Sequence, residues 1–196
     1  MKAAVLTRPR RIEYREVDDP EPRSNEVLLQ VKAASICGSD MLRVYSGAAR
    51  YYPIILGHEA AGVVVEVGDA IDQRLLGMRA AIVPLIPCMT CTACLRQLYS
   101  VCEQYSFVGS RRDGSFAEYV VVPVQNLIPL NDAIPFHVGA VLEPATVALH
   151  ALQRGGSIKG RRVAILGAGS VGLCAVQWAR IMEAAVIIVT DIAEDN

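Results

Sequence analysis

Four of the six cysteines in this 196-residue chain fall in one stretch. Cys88-Met89-Thr90-Cys91-Thr92-Ala93-Cys94 is followed by Cys102, a C-x2-C-x2-C-x7-C pattern. Two-residue spacings turn consecutive thiolates toward one centre, and a fourth from a return segment closes a tetrahedron around Zn²⁺. At this cysteine frequency, three further cysteines at set offsets arise by chance on the order of once in tens of thousands of starts. An iron–sulfur cluster is the rival for four thiolates, and a compact loop inside a β-rich region favours zinc. With every position filled by protein there is no opening for substrate, so such a site is structural.

A second constellation is more widely spread. His58 stands in Gly57-His58-Glu59-Ala60-Ala61-Gly62, ahead of Gly68 and Ile71, and just before an apolar strand pattern at 63–67. A histidine at a strand edge beside an acid is placed to bind a metal, although such a pair alone reads first as a hydrogen-bonded structural histidine, and it is the flanking motifs that reverse this. Upstream, Cys37-Gly38-Ser39-Asp40 puts a thiol and a hydroxyl in one loop at a strand end. Taken alone, Cys37 is also a small buried hydrophobe. Downstream, Glu143 lies in the apolar run 138–150, where an unpaired carboxylate is costly and invites a metal or a basic partner. His137 and His150 have no supporting pattern.

Near the end, the strand pattern at 161–166 runs into Gly167-Ala168-Gly169-Ser170-Val171-Gly172, which opens a helix expected at 173–182. A second apolar strand at 186–190 ends on Asp191, 24 residues after the first glycine (191 − 167). The glycines allow a tight turn and close approach of a pyrophosphate to the helix N-terminus, where N–H groups and the dipole favour anions. Asp191 would accept from a ribose 2′-hydroxyl and repel a 2′-phosphate, which predicts NAD rather than NADP.

The elements that must position these residues read as β-rich at first. Alternation at 12–17 is broken by Asp18-Asp19-Pro20-Glu21-Pro22, and strands are expected at 26–33, 79–84 and 116–122. The run 138–150 reads as a helix interrupted by Pro144. Arg111 and Arg112 read first as a solvated turn, and with Arg43 they are the cationic candidates near motif loops for the phosphate group of a substrate. Hydrophobic residues make up 53% and charged residues 20%, a globular composition, and a net charge of −1 gives no reason to expect nucleic-acid or anionic-membrane partners. No run approaches the roughly 18 apolar residues that span a bilayer, and residues 1–9 are too short an apolar stretch for a signal peptide. Cysteines without export signals point to metal or reduced thiols before disulfides, and the expected address is cytoplasmic.

Together, in this order, these motifs resemble the zinc-dependent medium-chain alcohol/polyol dehydrogenases. The resemblance implies an α/β chain with a β-rich N-terminal part: a GroES-like β-barrel catalytic domain over 1–146, then an incomplete Rossmann domain over 147–196. It implies Cys37, His58 and Glu143 as catalytic zinc ligands, Glu59 as an acid able to approach or exchange onto the metal, and Ser39 as the proton-relay hydroxyl. Cys88, Cys91, Cys94 and Cys102 would hold the structural zinc, and Gly167, Gly169, Ser170, Val171, Gly172 and Asp191 would hold NAD. The implied reaction oxidises a secondary alcohol of a polyol or sugar phosphate, of galactitol 1-phosphate type, with hydride transfer to NAD. Sorbitol-, butanediol- or threonine-type dehydrogenases, and a non-catalytic zinc-binding remnant, are the alternatives. A homo-oligomer is implied for the full-length form. Leu42 stands where many polyol relatives carry a relay histidine, and Glu183 where the family has glycine. Two Rossmann strands are present where a doubly wound sheet has about six, so little turnover is expected of the 196 residues by themselves.

Overall fold

The computed structural model describes residues 1–193, in which two compact units meet in sequence at Val141 and Leu142. In the first unit, β1 (Lys2–Arg8) and β2 (Arg11–Glu16) form an antiparallel hairpin. The breaker stretch then leads to β3 (Glu26–Ser35), α1 (Gly38–Tyr45), β4 (Ile54–Ile55), β5 (Glu59–Val67) and β6 (Arg79–Ile82). Next come β7 (Leu85–Ile86), α2 (Thr92–Leu95), β8 (Ser106–Phe107), β9 (Tyr119–Pro123), β10 (Leu127–Pro129) and α3 (Phe136–Ala140). The main sheet has the antiparallel order β10-β6-β5-β3-β9, a smaller sheet has the order β2-β1-β4, and β7 pairs with β8. The first half of β3 is buried throughout, because it is central and both its faces are covered. Val27, Leu29, Val64, Val120 and Val122 fill the core between the layers.

The register of β3 on β5 positions the site. Ser35 pairs with Glu59, so the loop leaving β3 at Cys37 is delivered beside His58, which immediately precedes β5. The two strands approach so closely that a Cβ on Gly62 would lie 2.0 Å from the carbonyl oxygen of Gln30. Only glycine fits there.

The second unit holds α4 (Leu142–Arg154), β11 (Arg162–Leu166), α5 (Ser170–Ile181) and β12 (Val186–Thr190). β11 and β12 are parallel, as a β-α-β crossover requires. Ala148, Ile165, Cys174 and Ala175 form its core, and Trp178 Nε1 donates to the Ala145 carbonyl at 2.8 Å. These contacts tie the whole of α4 to the second unit, which therefore begins at Leu142, five residues ahead of the expected boundary (146 − 141). Pro144 does not interrupt a helix. It sits in the first turn of α4, where a backbone N–H has no intrahelical partner to lose, and the chain breaks earlier, at Val141 between α3 and α4. Helix α5 starts at Ser170, three residues before the sequence suggests, directly from the glycine turn. No helix among the described residues is long and apolar enough to cross a membrane.

Candidate metal centres and nucleotide loop

Cys37, His58 and Glu59 each bring one donor atom into a group whose members all lie within 4.8 Å of one another. His58 and Glu59 are 3% exposed and Cys37 is half-buried. Cys37 caps α1 and Glu59 begins β5, so thiol, imidazole and carboxylate arrive from two segments joined by the β3–β5 register. Burial pushes the Cys37 thiol up, and the neighbouring Glu59 adds to that. Two groups that become anions are thus packed together, and a divalent cation is what makes that arrangement favourable. The mixed S, N, O donor set suits zinc, and three protein ligands leave a position for an alcohol oxygen.

The surrounding residues orient these donors. The Ser35 hydroxyl donates to Glu59 Oε2. Asp40, 2% exposed, accepts from the Cys37 N–H at 3.2 Å and from Arg43 Nη1 at 3.4 Å. The same carboxylate lies 3.3 Å from Nδ1 of His58, which has no aligned hydrogen bond but a strong electrostatic neighbour. That contact leaves Nε2 as the nitrogen for a metal. Ser39 Oγ donates to Cys37 Sγ at 3.3 Å and accepts from Arg43 Nη1 at 2.8 Å. The Phe107 ring packs edge-on against His58, with centroids 5.6 Å apart. Asp40 and Phe107 escape a motif reading. The only local signal for Asp40 is its position three residues after Cys37, where its carboxylate can reach back to a helix N-terminus.

The second group, Cys88, Cys91, Cys94 and Cys102, also converges within 4.8 Å on the lobe that carries α2. All four are free thiols, with Cys88 Sγ 3.9 Å from Cys94 Sγ and Cys91 Sγ 4.0 Å from Cys102 Sγ. Four sulfurs at about 2.3 Å from one zinc are separated by about 3.8 Å, close to these distances. An iron–sulfur cube binds each thiolate to a different iron and spreads them wider. Backbone N–H and hydroxyl donation from Thr90 lowers Cys88 to about 6, while burial and the adjacent thiols push Cys94 up to about 12. Four thiols so close cannot all ionise without a cation among them.

In the second unit, the turn after β11 has the spatial signature of a phosphate cradle. A Cβ on Gly172 would lie 1.9 Å from the Gly167 carbonyl oxygen, so glycine is required where α5 crosses the strand end. Gly169 has open space where its Cβ would be, which is room for a ligand to approach the N-terminus of α5. Ser170 and Val171 supply the first two N–H groups of α5. Asp191 follows β12 and accepts from Ala168 N–H at 2.6 Å and from Ala193 N–H at 2.8 Å.

The Alcohol dehydrogenase GroES-like domain family matches residues 23–132, more than half of the chain. The chain belongs to the zinc-dependent alcohol dehydrogenase family. Galactitol 1-phosphate 5-dehydrogenase of Escherichia coli K12 is 42% identical over 172 residues, 88% of this chain and 50% of that protein. The crystal structure of galactitol-1-phosphate dehydrogenase from E. coli superposes with a TM-score of 0.94 at 40% identity, over 100% of this chain and 57% of that one. The NADH complex of an E. coli CFT073 short chain alcohol dehydrogenase (rspB) gives a TM-score of 0.92 at 32% identity, over 100% and 58%. The chain thus spans about half the length of the relatives it matches.

The remaining candidates fall elsewhere. Glu143 is half-buried in the first turn of α4, where the helix dipole favours a carboxylate even without a metal. His137 and His150 are exposed. The arginines are not a solvated turn: Arg112 Nη1 donates to the buried Glu26 at 2.8 Å, and Arg111 stacks 3.9 Å over the Tyr105 ring. Glu183 takes φ +61, the left-handed conformation that glycine would occupy, and so keeps the turn after α5 at a cost in strain.

Proposed function

We propose that this chain carries the metal-binding half of a zinc- and NAD-dependent dehydrogenase that oxidises a secondary alcohol of a polyol or sugar phosphate, of galactitol 1-phosphate type. The supporting observation is the convergence of Cys37, His58 and Glu59 into one largely buried group of three donors. The same reading proposes Glu143 as the third ligand, with Glu59 the acid able to approach or exchange onto the metal, so that three protein donors are bound at a time. Zinc held there would supply Lewis acidity that lowers the pKa of an alcohol, and NAD on the glycine turn would accept the hydride. The four-cysteine lobe is read as the structural zinc site.

The chain's own residues then have separate tasks. Ser39 Oγ touches both a donor thiol and a guanidinium, so it is the hydroxyl placed to hand a substrate proton outward. Asp40, 3.3 Å from Nδ1 of His58, electrostatically favours the tautomer with the proton on that nitrogen. Phe107 and the buried flanks of His58 keep water from the donors. Leu42 cannot continue the relay, and it is 63% exposed, so beyond Ser39 a proton can go straight to solvent.

Metal analysis tests the reading. Two zinc ions per chain are expected, falling to one in Cys37→Ser and, independently, to one in Cys91→Ser. Oxidation of galactitol 1-phosphate, sorbitol and threonine with NAD⁺ then ranks substrates. A single zinc per chain that survives Cys37→Ser would overturn the assignment.

A further inference from the structure

Beside the three-donor group lies a cavity of about 380 Å³ lined by Arg43, Leu85, Ser100, Tyr105, Phe107 and Ser110. All six belong to the first unit. Its chemistry is one-sided: one cation, three hydroxyls, two apolar side chains and no carboxylate. Each polar group there can donate a hydrogen bond. Arg43 is the one charged group in the lining, no carboxylate opposes it, and the three hydroxyls can all turn their protons inward, which suits an anionic ligand.

We infer that this cavity is the subsite for the phosphate group of a phosphorylated polyol, with Arg43 as its principal contact. The inference rests on the dehydrogenase reading above and selects the phosphorylated branch of it. Arg43 is only partly exposed, and Nη1 is already engaged with Ser39 and Asp40, which holds the guanidinium plane in place. Among the described residues, Nε and Nη2 have no such engagement, which leaves them for two oxygens of a phosphate in the bidentate manner guanidinium favours. Arg111, stacked behind the Tyr105 wall, adds a second positive charge without entering the cavity. Arg112 is excluded because Glu26 neutralises it.

The placement also fits the chemistry. Two hydrogen bonds, 2.8 Å from Arg43 to Ser39 and 3.3 Å from Ser39 to Cys37, link the cavity to the metal donors. A phosphate seated at one end therefore puts a carbinol a few carbons away within reach of the other. Phe107 borders both, since it lines the cavity and packs on His58.

Calorimetry on the zinc-loaded chain, with galactitol 1-phosphate, galactitol and inorganic phosphate as probes, tests this. The phosphate ester should bind about tenfold or more tightly than galactitol, with inorganic phosphate competing. Arg43→Ala should bring the two to within about twofold, and Arg43→Lys should keep part of the preference. Because Arg43 also touches Ser39, a Ser100→Ala/Ser110→Ala double variant gives an independent reading. It should lose about half or more of the preference in free-energy terms while zinc content stays unchanged. Equal binding of galactitol and its phosphate, or a preference that survives both variants, overturns the subsite. If the chain holds no zinc at Cys37 yet binds inorganic phosphate in a manner lost in Arg43→Ala, the metal reading fails and the subsite stands.

Discussion

Asp40 joins the metal donors to the substrate side of the site. A carboxylate 2% exposed is tolerable only because the Cys37 N–H, Arg43 and His58 surround it. Asp40→Asn keeps the shape and removes the charge. It should weaken zinc at the Cys37–His58–Glu59 site by about 10- to 100-fold and leave the four-cysteine site alone, as measured by chelator competition. Unchanged affinity would reduce Asp40 to a helix cap. Glu183 offers a separate test at the same scale. Its φ of +61 costs strain, and its ion pair to Lys159 joins two exposed side chains, which offsets little. Glu183→Gly should raise stability by about 0.5–1 kcal/mol, or a few degrees in Tm. The four lobe cysteines were legible in the sequence as one candidate donor group because their spacing is local. The partner of Arg112 was not, since Glu26 lies 86 positions away and only the folded sheet brings the two together.

Among the elements, the four-cysteine lobe makes a claim about pH. Cys94, pushed up to about 12, is protonated throughout the neutral range, so zinc must displace its proton. Protonation competes with the metal, and affinity therefore falls as pH falls. A loss of at least about tenfold per pH unit is expected between pH 8 and 6.5, and a steeper loss as Cys88 gains its proton near 6. Zinc titrations at several pH values check this, and a flat profile would contradict it. The nucleotide turn makes a steric claim. Gly172→Ala forces a Cβ to 1.9 Å from the Gly167 carbonyl and should cost about 1–3 kcal/mol while weakening NAD binding, both measurable by thermal shift. The strand–glycine turn–helix order could be read from residue types. Two boundaries could not: α5 begins at Ser170 because the turn itself donates the first helical residues, and Pro144 reads as a breaker unless the new helix is known to start at Leu142.

Over the whole molecule, the fold class followed from the motif order. The assembly of the catalytic donors depended on something no window of sequence displays, the alignment of Ser35 with Glu59 between β3 and β5. That pairing has a further effect on how the protein matures. The lobe cysteines lie within fifteen residues of one another (102 − 88 + 1) and can grip an ion while the rest of the chain is still unstructured. Cys37 and His58 meet only after two long strands have zipped together. If both groups bind zinc as proposed, scarcity during synthesis is expected to send the first equivalent to the lobe and leave a folded, half-loaded population without the ion the proposed chemistry needs.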